Sequence, residues 1–146
     1  MSTILEFLGA DHRACDGLFA ESEAAVADHR WEEAAGLFSR FHAAMLRHLA
    51  MEEQILFPAF EAETGFSMGP TRVMRMEHDQ MRELFREMNV AIAAHNERNY
   101  LGVSETLNML MQQHNLKEEG MLYPMSDQAL AANTDSLIRE MEAIPA

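Results

Sequence analysis

An internal repeat, offset by 66 residues, constrains this chain more than any other feature. His48-Leu-Ala-Met-Glu52-Glu53-Gln-Ile-Leu56-Phe57-Pro58 matches His114-Asn-Leu-Lys-Glu118-Glu119-Gly-Met-Leu122-Tyr123-Pro124. The same shift maps Met45 onto Met111, His12 onto His78, Cys15 onto Met81, and Leu18-Phe19 onto Leu84-Phe85. A repeat of this period copies a supersecondary unit. Apolar residues recur at helical spacing almost throughout, so the unit is a helical hairpin present twice.

Turn and cap signals divide the repeat into elements. A first helix is expected from about Thr3 to Ala27 after a Ser2 cap, and a second from about Trp31 to Ala62. Thr64-Gly-Phe-Ser-Met-Gly69 is the clearest loop, and Pro70 suits the first turn of a third helix reaching about His95. A fourth runs from about Tyr100 to Met125 after an Asn99 cap, and a weaker one from about Thr134 to Ala143, stopped by Pro145. Pro58 and Pro124 each lack an amide donor and are expected to kink or end their helices. Short connections make sequential helices antiparallel neighbours. The expected fold is all-α: an antiparallel up-down-up-down four-helix bundle with a short C-terminal helix, one domain over 1–146.

Composition agrees and narrows function. Hydrophobic residues make up 48% of the chain, as in a folded globule, and 13 Met against four Pro favour helices. The charge balance, 11 − 24 = −13, repels phosphate backbones and argues against nucleic acid or anionic membranes as partners. Cys15 is the single cysteine, which excludes an internal disulfide and a thiolate cluster. No apolar run approaches the roughly 20 residues of a membrane span, and Met1 is not followed by a basic leader, so a cytoplasmic location is expected.

The repeat carries six candidate chemical groups. His48 and Glu52, and likewise His114 and Glu118, are one turn apart on one helix face. That face is expected to be apolar on either side, with Phe41, Met45 and Ile55 in one copy and Leu107, Met111, Met121 and Leu122 in the other. His12 shares a face with Leu5, Leu8, Cys15 and Phe19; His78 shares one with Met74, Met81, Phe85, Met88 and Ile92. Hairpin arithmetic sets their level. His12 and His48 are centred on residue 30, and His78 and His114 on residue 96. Each histidine is 18 residues from its turn, or roughly 27 Å of helix. Antiparallel folding therefore places all six groups in one layer. Four imidazoles and two carboxylates in an apolar layer are costly unless paired or bound to metal, and the mixture suits iron, manganese or zinc.

These motifs resemble the hemerythrin-like, or HHE cation-binding, family: a histidine in the first and third helices, and His-x-x-x-Glu in the second and fourth. The likeness runs from His12 to Pro124 and includes both Glu-Glu-x-x-Leu-aromatic-Pro tails. It implies a non-haem di-iron centre, with His12 and His48 on one iron, His78 and His114 on the other, and Glu52 and Glu118 bridging them beside an oxo or hydroxo group; zinc or manganese could substitute. Oxygen-carrying relatives have a further third-helix histidine where this chain has Met74, and the repeat-related place is Leu8. With about six positions on each iron, these ligands leave about one open per ion, and open positions are where metals react. The set is also similar to that of di-iron proteins that repair iron–sulfur clusters after nitric oxide stress, whose additional cysteine-bearing N-terminal region has no counterpart here.

Three functions fit the resemblance: binding or sensing of O2 or NO, a di-iron enzyme acting on NO or peroxide or donating iron for cluster repair, and an iron-sensing regulatory bundle. Among the other polar residues, Glu53 and Glu119 are either partners of histidine N–H groups or solvated surface. His29 and His95 are too far along their helices to join the layer, and His42 is off its face. Tyr123 offers a hydrogen-bond donor or a redox group besides core packing, the reading preferred for it; Met74 is expected to pack in the core, and Cys15 to be a buried, inert thiol. There is no Glu-x-x-His of ferritin-like bundles, no His-Glu-x-x-His and no phosphate loop.

Overall fold

The computed structural model describes residues 2–145, which contain helices and no strand. α1 (Ile4–Ala27) and α2 (Trp31–Met51) form the first hairpin, and α4 (Pro70–Ala93) and α5 (Glu97–Lys117) the second. α1 packs on α2 and α5, and α4 packs on α5 and α2, closing a four-helix ring. α3 (Phe57–Thr64) continues α2, α6 (Tyr123–Ala129) continues α5, and α7 (Thr134–Glu142) folds back against α1 and the Glu52–Leu56 turn that follows α2.

The caps fall close to, but not on, the expected residues. Thr3, rather than Ser2, caps α1 in a reciprocal capping box with Glu6. Asn96, rather than Asn99, caps α5, accepting from the Asn99 amide. The Asp127 carboxylate accepts from the Ile4 and Leu5 amides at 2.7 and 3.1 Å, which ties α6 to the start of α1. Both hairpin turns close with a histidine in the left-handed region, His29 at φ 56° and His95 at φ 53°. In each, the next amide reaches back to the carbonyl five residues earlier, Arg30 to Ala25 and Asn96 to Ala91. Gly65, at φ 75°, ends α3 in the same conformation.

Pro58 and Pro124, expected to kink or end their helices, do not end them. Each follows a π turn, Glu52–Leu56 before α3 and Glu118–Leu122 before α6. A proline ring crowds the carbonyl four residues back and offers no amide. The wider turn relieves that conflict: the Phe57 amide bonds to the Glu52 carbonyl, and Tyr123 to Glu118, each five residues back. The chain thus bulges and continues.

Two apolar clusters fill the interior. One, toward the hairpin turns, gathers Cys15, Phe19, Phe38, Phe41, Phe85, Met88 and Tyr100. The other, toward the chain ends, gathers Leu8, Met51, Phe57, Phe60, Met74, Tyr123 and Met141. Met74 and Leu8 are core residues, as read from the sequence, and Cys15 is buried with its thiol pushed up to about 12 by burial. Between the clusters lies one polar layer.

Candidate metal centre

The six residues singled out from the sequence meet in that layer. His12, His48, His78, His114, Glu52 and Glu118 are all at most 5% exposed, the two glutamates fully buried. They form two groups of four that share both glutamates: His12, His48, Glu52 and Glu118, and Glu52, His78, His114 and Glu118. Within each group one donor atom per residue lies within 4.8 Å of the others. His12 Nε2 is 3.1 Å from Glu118 Oε1, and His78 Nε2 is 3.0 Å from Glu52 Oε1. Each hairpin brings its own imidazoles level: the His12 and His48 rings are 4.6 Å apart, the His78 and His114 rings 5.1 Å.

Every imidazole turns Nε2 inward and is held from behind at Nδ1 by a carboxylate on a neighbouring helix or its π turn. The pairs are His12–Glu119 at 2.8 Å, His48–Asp11 at 2.7 Å, His78–Glu53 at 2.7 Å and His114–Glu77 at 2.8 Å. Glu53 and Glu119, which the sequence left between partner and surface, are partners. Asp11 and Glu77 were missed. Their signal was in the repeat: each precedes a layer histidine, and the 66-residue shift maps one onto the other. Two of the outer carboxylates have their own cations. Arg82 grips Glu53 through both nitrogens at 2.7 and 3.0 Å, and Lys117 bonds Glu77.

Tyr123 both packs and donates, combining two readings that its sequence context allowed. Its ring stacks on His12, while its hydroxyl donates to the buried carboxylates, 2.5 Å from Glu52 Oε2 and 2.9 Å from Glu118 Oε1. On an α-helix a residue five places on points about 140° away; the π turn returns Tyr123 to the face of Glu118. His42 packs on Phe38 and Phe85, and His29 and His95 flank Trp31 near the turns, all outside the layer.

Electrostatics in the metal-free layer follows from this packing. Burial works against charged imidazoles, but the carboxylates outweigh it: Glu118, Glu119 and Glu52 raise His12 to about 9, and Glu52, Glu53 and Glu118 raise His78 to about 9. His114 is raised in the same way. Burial, reinforced by the charge of Glu118, holds Glu52 up; in Glu118 the close approach of Glu52, His114 and His12 overcomes burial and holds it down. Outside the layer, burial of Glu53 is overcome by His78 and Arg82, which lower it to about 2.

The donors leave a deficit suited to a cation. Glu52 Oε1, Glu118 Oε2, His78 Nε2 and His114 Nε2 are buried without a hydrogen-bond partner, since their mutual contacts are not aligned for bonding. Such atoms are costly in a dry interior, and a divalent ion satisfies nitrogen and carboxylate donors together. A family model, the hemerythrin HHE cation binding domain, matches residues 3–143. The chain belongs to the hemerythrin HHE cation-binding family. Among curated proteins, this hemerythrin-like chain is 33% identical over 98 residues to the iron-sulfur cluster repair protein YtfE of Escherichia coli O157:H7. That match covers 57% of this chain and 42% of the relative. No solved structure matches significantly. No described helix is long and apolar enough to cross a membrane.

Proposed function

We propose that this hemerythrin-like chain holds two iron ions and binds a small ligand, O2 or NO, at them. His12 and His48 would hold one ion and His78 and His114 the other, with Glu52 and Glu118 shared between them. The observation that carries this reading is the pair of four-donor groups sharing two fully buried carboxylates. Bound iron supplies a redox-active Lewis acid to which a diatomic ligand can add. The chain's own residues do the rest. Asp11, Glu53, Glu77 and Glu119 keep each Nδ1 protonated and each Nε2 facing inward as a lone-pair donor. The apolar clusters above and below exclude water and favour an uncharged ligand.

Purification without added metal, followed by elemental analysis, tests the reading. The expected content is about two irons per chain, as in other two-metal sites, with a clear loss in His12→Ala and Glu118→Ala. Content near zero, unaffected by either substitution, defeats it; zinc or manganese in iron's place would keep the site and change its chemistry. Exposing the reduced protein to each gas and then removing it separates reversible binding from consumption.

The likeness to an iron-sulfur cluster repair protein favours a second reading, in which the centre reacts with NO or gives up iron for cluster repair. Iron transfer to a cluster-deficient acceptor, absent with Glu118→Ala, distinguishes it from gas binding.

A further inference from the structure

The repeat is nearly symmetric in its donors and broken at one place beside them. Phe57 and Tyr123 are repeat mates. Phe57 stacks on His78 with ring centroids 5.6 Å apart, and Tyr123 stacks on His12 at the same distance. Only one of the two rings carries an oxygen. That oxygen lies 2.5 Å from Glu52 Oε2, 2.9 Å from Glu118 Oε1, 3.2 Å from His12 Nε2 and 3.4 Å from His48 Nε2. It therefore touches all four members of one donor group. Donors at right angles about 2.1 Å from a common ion lie about 3 Å from one another, which is the spacing the hydroxyl keeps.

The unpartnered atoms fall on the other side. His78 Nε2 and His114 Nε2, with Glu52 Oε1 and Glu118 Oε2, have no hydrogen-bond partner, whereas the His12 and Glu118 atoms of the first group meet the Tyr123 hydroxyl. One half of the layer is thus completed by the protein, and the other ends against an apolar ring.

Resting on the two-ion reading, we propose that Tyr123 is a seventh protein donor, closing the His12/His48 ion and leaving the position for an incoming ligand on the His78/His114 ion, beside Phe57. The hydroxyl proton is released to solvent as the metal binds, as with other metal-bound donors. The two ions then differ: one is retained by the chain, and the other is the point of access.

The test uses the full chain, loaded with ferrous iron under argon and oxidised with ferricyanide. Iron content, resonance Raman spectra and azide binding are measured on the wild type, Tyr123→Phe and Phe57→Tyr. Wild type is expected to show tyrosinate vibrations and to bind one azide. Tyr123→Phe is expected to lose the vibrations, and Phe57→Tyr to strengthen them and bind azide about tenfold more weakly or worse. If wild type holds two irons but lacks tyrosinate vibrations, the proposal is overturned while the two-ion reading stands. If wild type does not hold two irons, both fall. Should Tyr123→Phe fail to load, wild type and Phe57→Tyr still decide between these results.

Discussion

At the scale of single residues, the layer is a set of imidazoles whose useful nitrogen is selected by what stands behind them. Asp11→Asn and Glu77→Gln keep the size of the rear partner and remove its charge, so the ring it orients loses basicity. Each is expected to weaken metal binding by about 10- to 100-fold, as outer partners commonly do, read by competition with a chelator of known affinity. The six inward groups were legible in the sequence because histidine and glutamate are conspicuous among Met, Leu and Phe, and the repeat fixed their level. Asp11 and Glu77 were not, because an acidic residue beside an inward-facing histidine sits on the helix flank, where solvated carboxylates are commonplace. Packing was preferred for Tyr123 over hydrogen bonding because its hydroxyl reaches the layer only if the intervening turn is wider than α.

Protonation belongs to the same scale. In chelator-treated protein, His12 and His78 are raised to about 9 from 6.5, so their contribution is fully present below 6.5 and is lost as pH rises through 9. Glu53, lowered to about 2 from 4.5, contributes above 4.5 and is lost as pH falls through 2. The metal-free chain is therefore expected to be most stable between about pH 4.5 and 6.5, measured as the urea midpoint across pH. A midpoint that climbs steadily from pH 6.5 to 9 would contradict this charge arrangement.

At the scale of elements, the bundle's order and hairpin turns followed from periodicity and short connections, while the ends of its helices did not. Neighbouring Ser2 and Thr3 offer equivalent hydroxyls, and Glu6, three residues after Thr3, decides between them. The π turns were hidden because a proline in a helical pattern reads as a stop; here two bulged turns let each helix pass it. The Asp127 cap was invisible for another reason: it joins residues 123 and 122 positions apart. Asp127→Ala removes two amide partners from α1 and loosens α6, and is expected to cost about 1–2 kcal/mol, measured by urea unfolding with iron content unchanged.

At the scale of the molecule, the polar layer interrupts an otherwise apolar interior, so its contribution depends on what it holds. Ligands that bind only the folded state stabilise it by mass action. Removing iron is expected to lower the melting temperature markedly, and His12→Ala to show little further change on chelation. Equal melting temperatures with and without chelator would show that the layer is stable as a hydrogen-bonded network alone. Phe85→Ala, in the cluster toward the turns, is expected to cost about 3–5 kcal/mol through the cavity it leaves, without altering the tyrosinate spectrum.

The four carboxylate–imidazole bonds are distributed one to each seam of the ring: Asp11–His48 between α1 and α2, Glu53–His78 between the π turn after α2 and α4, Glu77–His114 between α4 and α5, and Glu119–His12 between the π turn after α5 and α1. Each rod is therefore pinned to both of its neighbours at the same height, like staves under one hoop. No rod can slide without tilting an imidazole out of line. Anything that enters the centre must slip past side chains, because the walls themselves cannot part without disturbing the donors inside.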